Sequence, residues 1–176
     1  MTSPAEDARF PPSPTSVARA WVSQMLRPGD TAIDATAGNG HDTLWLAEAV
    51  GATGKVLAFD IQAEALDAAA ARVAKAGLGE RVAFYLESHE GIGEVADPGS
   101  VAAVVFNLGY LPGGDHALTT RPATTLAGLN AAIRVLRPGG VLAVVCYPGH
   151  EGGDEETHRV ELWFRALGGS GAKVAR

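Results

Sequence analysis

Apolar residues along this chain fall into five short runs, and helical stretches separate the runs. Polar residues rarely alternate with apolar ones inside the runs, which is typical of parallel strands buried on both faces. Segments with glycine or proline end most of the stretches in between. The predicted strands span residues 31–35, 55–61, 81–86, 101–108 and 141–147, and the predicted helices span residues 15–26, 41–50, 63–76, 122–136 and 154–167, with a short helix or loop at 90–96.

This alternation of strands and helices predicts an α/β fold with a mainly parallel, doubly wound, Rossmann-like sheet. Residues 1–14 carry four prolines and are expected to form a loose tail before a single domain over 15–176. Beyond the last predicted helix only residues 173–176 could begin a further strand, so the closing strands of such a sheet are expected to be missing. One face of the first helix is predicted to bury Val17, Ala20, Trp21, Met25 and Leu26.

Composition limits the possible partners and the compartment. The 176 residues carry a net charge of −6, which does not favour binding along a nucleic-acid duplex but allows a local contact with folded RNA. A single cysteine, Cys146, excludes an intrachain disulfide and is expected to pack as a small apolar residue. The chain has neither a membrane-spanning apolar run nor a signal peptide, so we expect a cytoplasmic protein without membrane contact.

Residues 33–43 read as a strand that ends in an acid, a tight glycine turn and the start of a helix. This is the nucleotide-binding corner of doubly wound folds. Gly38 and Gly40 are predicted to let the backbone turn and approach a ligand, toward which the N–H groups of the helix would point. Asp60 ends the next strand, at the spacing of an acid that binds ribose hydroxyls. An adenosine-containing cofactor is therefore expected.

Two cofactor classes compete for this corner, and a glycine turn without a ligand is the alternative to both. A dinucleotide fingerprint, G-x-G-x-x-G, needs glycine where this chain has Thr43. The segment instead resembles the D/E-x-G-x-G-x-G motif of class I S-adenosylmethionine-dependent methyltransferases. Asp34 matches the acid, Gly38 and Gly40 match the second and third glycines, and Thr36 replaces the first. The resemblance implies S-adenosylmethionine as the cofactor.

Polar residues follow each predicted strand, and the carboxyl ends of parallel strands meet at one edge of a sheet, where ligands bind. Four of the five histidines lie in these segments. His89 is a candidate to stack on or hydrogen-bond adenine, or to act as a base. The predicted cofactor-binding residues are Asp34, Thr36, Gly38, Asn39, Gly40, His41, Asp42, Thr43, Asp60, Gln62, Ser88, His89, Glu90 and Asn107.

The segment from Asn107 to Tyr110 resembles the N/D-P-P-Y/F motif of methyltransferases that act on exocyclic amines, although Leu108 and Gly109 replace its prolines. The resemblance implies that the Asn107 oxygen accepts an amine N–H and that Tyr110 stacks on the base. A buried asparagine that caps a turn is the alternative. Because only a neutral amine attacks, a nearby base is needed. Asp115, His116 and His150 are candidates, and the predicted catalytic residues are Asn107, Tyr110, Asp115 and His150.

A metal site is not predicted. His89 and Glu90 do not form an H-E-x-x-H motif, because position 93 is glycine. Three histidines could in principle bind zinc, but no cysteines and no histidine pair on one helix accompany them.

These motifs, together with Thr124-Thr125 and the segment from Tyr147 to His150, resemble the bacterial family labelled "putative rRNA methylase" over roughly residues 15–167. The family is identified with tRNA 5-aminomethyl-2-thiouridine methyltransferases. The resemblance implies N-methylation of the aminomethyl group of wobble uridine, with the tRNA anticodon loop as partner and a homodimer as one possible assembly. The alternatives are methylation of rRNA or of a small-molecule amine, a nucleotide-dependent oxidoreductase, and a cofactor-binding regulator without catalysis.

Overall fold

The computed structural model describes residues 12–109, 120–149 and 151–168. Strands and helices alternate along these residues, as the apolar pattern predicts. Two 3₁₀ turns, Gly79–Arg81 and His89–Gly91, precede β3 and α4. The strands are β1 Thr31–Asp34, β2 Lys55–Asp60, β3 Val82–Leu86, β4 Val101–Leu108 and β5 Leu136–Cys146; the helices are α1 Pro14–Met25, α2 His41–Ala49, α3 Ala63–Lys75, α4 Ile92–Val95, α5 Pro122–Val135 and α6 Gly153–Gly168.

The strands form one five-stranded sheet in the order β3-β2-β1-β4-β5, and every pairing is parallel. The predicted doubly wound, Rossmann-like α/β fold is confirmed. The chain builds outward from β1 to β3 on one side and then crosses to β4 on the other side. The carboxyl ends of β1 and β4 therefore flank the topological switch point, where ligands bind in such sheets.

Apolar residues on the two faces of the sheet form separate cores. Ile33, Phe59 and Phe106 belong to a cluster that also contains Leu129 of α5 and Val160 of α6. The other face carries a cluster formed with α1 and α2, and a smaller one formed with α3. Neighbouring strand residues contribute to opposite clusters, as the period of two in a strand requires. Burial on both faces explains the continuous apolar runs in the sequence.

The apolar face predicted for α1 is largely wrong. Val22 and Leu26 are buried, whereas Val17, Trp21 and Met25 are 41%, 54% and 43% exposed. The sequence offers two apolar stripes on this helix, and the sheet buries the one that contains Val22 and Leu26. The helix also begins inside the predicted tail, because the hydroxyl of Ser13 accepts the Ser16 N–H as an N-cap and Pro14 takes the favoured first position.

The fifth strand begins five residues before its predicted start. Leu136 pairs with Val101, and the ladder then resumes at Val141, so residues 137–140 bulge out of register. The bulge carries Arg137 to Asp30 at the entrance of β1, where two N–H groups donate to the two carboxylate oxygens at 2.5 and 2.9 Å. The prediction of a helix stop at these residues was correct, but the glycines make a bulge within the strand instead of a loop before it.

No helix within the described ranges is long and apolar enough to cross a membrane. Residues 173–176, where a further strand was predicted to begin, lie outside the described residues.

Candidate functional site

A cleft of about 1050 Å³ opens at the carboxyl edge of the sheet. Residues after all five strands contribute to its wall, and so do residues at the N-terminal ends of α1 and α5. The cleft therefore lies at the switch point that the strand order creates. The residues lining it are Ser13, Thr15, Ser16, Arg19, Ala35, Thr36, Ala37, Gly38, Asn39, His41, Asp42, Asp60, Ile61, Gln62, Glu87, Ser88, His89, Glu90, Asn107, Leu108, Gly109, Thr120, Arg121, Thr124, Tyr147, Pro148 and Gly149.

Asp34 organises the glycine loop from behind the cleft. Its side chain is fully buried and accepts the Thr43 hydroxyl at 2.6 Å and the Thr36 N–H at 3.2 Å. Burial raises the pKa of Asp34 to about 7, and the charges of Asp42 and Asp60 add to this, while the two hydrogen bonds oppose it. Asp34 and Thr43 thus shape the loop and do not line the cleft.

Glycine is required at the two positions of the loop for partly different physical reasons. Both have a positive φ, 49° at Gly38 and 76° at Gly40, which favours glycine. A Cβ at Gly40 would lie 2.5 Å from the Cα of Ala69, so this glycine lets α3 pack against the start of α2. Gly40 does not line the cleft, and the close approach that the structure shows at this glycine is to α3. Gly38 lines the cleft.

Asp60 joins the glycine loop to the turn after β2. One oxygen accepts the Gly38 N–H at 2.9 Å and the other accepts the Gln62 N–H at 3.0 Å. An ionised carboxylate has about four lone-pair sites. About two sites therefore remain on a carboxylate that lines the cleft and can accept hydroxyl groups of a ligand.

Asn107, the last residue but one of β4, lines the cleft and is held at both its backbone and its side chain. Its N–H donates to the Thr36 hydroxyl at 2.7 Å, and its side-chain amide donates to one oxygen of Asp42. The other Asp42 oxygen accepts from Nε of Arg19 at 2.6 Å. The Asn107 Oδ1 is buried and has no hydrogen-bond partner among the described residues. An acceptor left in this state costs free energy until a donor arrives.

His89 is the buried imidazole of the site. It packs edge-on against Phe106 at 5.3 Å between ring centroids, and its Nε2 has no partner within the described part of the chain. Burial lowers the pKa of His89, while nearby Glu90 and backbone groups of Thr124 and Ala35 oppose this. The ring is therefore neutral near pH 7. Gly128 makes room for it, since a Cβ there would lie 2.4 Å from the His89 Cδ2.

A buried carboxylate on α6 supports Thr120, one of the residues that line the cleft. Glu156 accepts hydroxyl hydrogen bonds from Thr120 and Thr125, each at 2.6 Å. Thr120 in turn accepts the Gly109 N–H at 2.9 Å, and its own N–H donates to the Gly109 carbonyl at 3.0 Å. Gly109 and Thr120 are thereby tied together at the two ends of residues 110–119.

Comparison with known proteins places the chain in a family. The model of the family described as "Putative rRNA methylase" matches residues 56–176, more than half of the chain. The chain belongs to this family. This match confirms the resemblance that was drawn from the motifs. The glycine loop, which was part of that resemblance, precedes the residues matched by the family model.

A curated relative agrees with the family assignment. The Arabidopsis thaliana protein named "tRNA (mnm(5)s(2)U34)-methyltransferase, chloroplastic" is 41% identical over 162 residues, which is 87% of this chain and 59% of that protein. The chain thus spans about three fifths of the relative's length.

Two solved structures are also similar to this chain. A putative rRNA methylase from Clostridium thermocellum is 37% identical with a TM-score of 0.85, over 89% of this chain and 83% of that one. A putative methyltransferase from Streptococcus mutans, solved in complex with SAH, is 34% identical with a TM-score of 0.79, over 90% and 84% of the two chains. These comparisons extend over most of both chains and support the fold of this family member.

The structure brings most of the predicted site residues of this family member to one cleft. Of the predicted cofactor-binding residues, all but Asp34, Gly40 and Thr43 line it. The predicted catalytic residues Tyr110, Asp115 and His150, and the candidate base His116, lie outside the described residues. Within the described ranges, no group of three His, Cys, Asp or Glu side chains is arranged to hold a metal ion.

Sequence reasoning missed the contribution of two helix N-termini to the cleft. Arg19 and two hydroxyl residues of α1 line it together with the N-cap Ser13, as do Thr124 of α5 and the N-cap Arg121. The Ser-Pro start of α1 is a recognisable N-cap signal, but nothing in it indicates that the helix would cross the sheet edge. Glu156 was also missed, although a carboxylate within the first turn of a helix is a common stabilising arrangement.

Proposed function

We propose that this chain binds S-adenosylmethionine in the cleft and transfers its methyl group to an amine on an RNA nucleotide, specifically the aminomethyl group of wobble uridine in tRNA. One observation carries the proposal. Asp60 and Asn107 line one cleft beside a glycine loop, and the buried amide oxygen of Asn107 has no hydrogen-bond partner among the residues that the structure describes. The family assignment and the name of the Arabidopsis relative support the same reaction.

The residues of the cleft fit an adenosine-containing sulfonium cofactor. Asp60 has lone pairs free for ribose hydroxyls after binding Gly38 and Gln62. The glycine loop offers backbone N–H groups, and the neutral ring of His89 and the polar side chains of Ser88 and Glu90 stand beside the proposed adenine position. The Streptococcus mutans relative was solved with SAH, the product of methyl donation.

Asn107 is proposed to hold the acceptor amine. When bound, S-adenosylmethionine supplies a methyl group on a positively charged sulfur, and its transfer leaves a neutral thioether. The protein must then present a neutral nitrogen in line with that methyl group, in a site cleared of water. The Asn107 Oδ1 accepts an amine N–H and so directs the nitrogen lone pair elsewhere, toward the donor. Asp115 and His150 are proposed to remove the proton from the ammonium form of the substrate, because only a neutral amine attacks, and Tyr110 is proposed to stack on the base.

A nucleotide in the anticodon loop suits the electrostatics of the chain. The net charge of −6 does not favour wrapping a duplex, whereas loop bases can be splayed out and inserted into a cleft. Arg121 is exposed at the cleft and can contact a phosphate without a broad basic surface. We propose a cytoplasmic site of action and a homodimeric assembly, and light scattering would test the latter.

Two experiments test the proposal. Titration calorimetry should detect binding of S-adenosylhomocysteine and no binding of NADH; the reverse result would favour the oxidoreductase alternative. Methyl transfer from labelled S-adenosylmethionine should then be compared among hypomodified tRNA, rRNA and small amines. Faster labelling of rRNA or of a small amine would overturn the substrate assignment, and cofactor binding with no transfer to any acceptor would favour a regulator.

A further inference from the structure

We propose that Asp42 is a positioning residue that determines which end of the Asn107 amide is offered to the acceptor amine. This inference rests on the proposed function of Asn107 and deepens it. Sequence reasoning gave Asp42 a different role, as a ligand of the cofactor. The contacts of its two oxygens assign it to Asn107 and Arg19 instead.

The polarity of the contact between Asp42 and Asn107 follows from chemistry. A carboxylate paired with a guanidinium accepts hydrogen bonds and has none to donate. The amide atom of Asn107 that faces it must therefore be the nitrogen, and the oxygen must be the other atom. That oxygen is the buried acceptor without a partner among the described residues.

Without this contact the two orientations of the amide would be nearly equivalent in shape. The terminal torsion of asparagine is broad and roughly two-fold, so a flip exchanges oxygen and nitrogen at little steric cost. A flipped amide would present N–H groups to the substrate. Such a donor would hydrogen-bond the amine lone pair that has to attack the methyl group. The orientation therefore separates a productive amine complex from an inhibited one.

Arg19 holds Asp42 in place for this task. Its Nε donates to the oxygen that Asn107 does not use, and its guanidinium lies 5.6 Å from the centre of the Trp45 ring. The Asp42 side chain is only 8% exposed, compared with 34% for Arg19. The ion pair satisfies a largely buried charge at the first turn of α2, where the helix dipole also favours an acid.

The chain supplies a matched control for Asp42. Asp30 forms an ion pair with Arg137 in which the side chains are 11% and 37% exposed, nearly the same as in the Asp42 pair. This pair lies at the opposite edge of the sheet, at the entrance of β1. Asp30→Asn and Asp42→Asn therefore remove the same charge from similar surroundings, and only the latter changes the contact to Asn107.

The first test follows turnover with saturating S-adenosylmethionine and tRNA. Asp42→Asn should lower kcat by about tenfold or more, because a misplaced reacting group costs rate, while the dissociation constant for S-adenosylhomocysteine changes less than about threefold. Asp30→Asn should leave both values near those of the wild type. In an Asn107→Ala background, Asp42→Asn should have no further effect on kcat, as coupling through one residue requires.

Other outcomes of this test would overturn the inference. Loss of S-adenosylhomocysteine affinity as large as that in Asp60→Ala would return Asp42 to the role of a cofactor ligand. Additive losses of kcat in the double variant, or equal losses in Asp30→Asn and Asp42→Asn, would leave only a structural role for the ion pair.

A second test does not need activity and so separates this inference from the proposed reaction. The side-chain amide protons of Asn107, assigned by their loss from the NMR spectrum of Asn107→Ala, should exchange slowly with solvent. Their exchange should accelerate by about tenfold or more in Asp42→Asn and remain unchanged in Asp30→Asn, because protection reports the hydrogen bond. Fast exchange in the wild type would overturn the inference even if methyl transfer is observed, and slow exchange would support it even if the acceptor is not an RNA.

Discussion

Replacing Asp34 with asparagine should stabilise this protein more as the pH rises. Asp34 is fully buried, and burial raises its pKa from 3.8 to about 7. The unfolded chain loses this proton near its ordinary pKa, whereas the folded chain keeps it until near pH 7. The folded state therefore binds more protons between these values, so the contribution of Asp34 to stability is complete below the unfolded pKa and is lost as the pH rises through the folded pKa.

The size of the effect follows from the two pKa values. Between about pH 5 and pH 8 the wild type should lose about 2.5 kcal/mol of unfolding free energy through this one group, relative to a variant that cannot ionise there. Asparagine keeps an oxygen for the Thr36 N–H, and its amide can donate to the Thr43 hydroxyl. Any cost of about 1 kcal/mol from imperfect geometry is the same at both pH values and cancels in the comparison.

Urea unfolding of wild type and Asp34→Asn at both pH values measures this difference directly. Because every other titrating group is shared, the change in the difference between the two proteins isolates Asp34. The variant should gain on the wild type at pH 8 relative to pH 5. Parallel pH profiles, or a relative gain for the wild type at high pH, would refute the reasoning that burial dominates the hydrogen bonds at this carboxylate.

Three further predictions address the cleft. Asp60→Ala should weaken S-adenosylhomocysteine binding by about 2 kcal/mol in calorimetry, through lost charge-assisted hydrogen bonds and a freed Gly38 N–H, and an unchanged affinity would contradict the ribose assignment. Asn107→Ala should lower turnover about a hundredfold while affecting cofactor affinity less than Asp60→Ala; near-normal turnover with a lower melting temperature would instead indicate a capping asparagine. Gly128→Ala should cost about 1–3 kcal/mol in thermal unfolding because its Cβ would meet His89, whereas Gly79→Ala has open space; equal effects would remove the packing argument.

The fold follows from the sequence because a buried parallel strand leaves a strong local signal. Apolar runs such as Val101–Leu108 lie within the sheet at the predicted bounds. Where two local structures were both compatible with the sequence, the sequence did not decide between them. The two apolar stripes of α1 are one example, since the choice between Val22 and Trp21 depends on how the helix meets β4 and β5. The bulge at residues 137–140 is another, since it makes a contact through Arg137 with Asp30, which is far away in the chain.

The candidate site divides in the same way. Residues at strand ends could be placed from the pattern alone, because parallel strands bring their carboxyl ends together. The hydrogen-bond partners of their side chains could not be predicted from the pattern. The assignments of Asp42 to Asn107 and of Glu156 to Thr120 join residues 65 and 36 positions apart, and no local motif encodes them. The glycine motif also did not separate Gly38, at the cleft wall, from Gly40, which is required by the packing of Ala69.

The central claim is that the cleft directs methyl transfer to the amine of an aminomethyl uridine in tRNA. The most direct measurement incubates the protein with labelled S-adenosylmethionine and hypomodified tRNA, digests the tRNA, and identifies the labelled nucleoside by chromatography and mass spectrometry. We predict one labelled product, the wobble uridine with its methyl group on the aminomethyl nitrogen, and about a hundredfold slower labelling with Asn107→Ala. Label on a ring carbon, on a ribose or on another nucleotide would contradict the account.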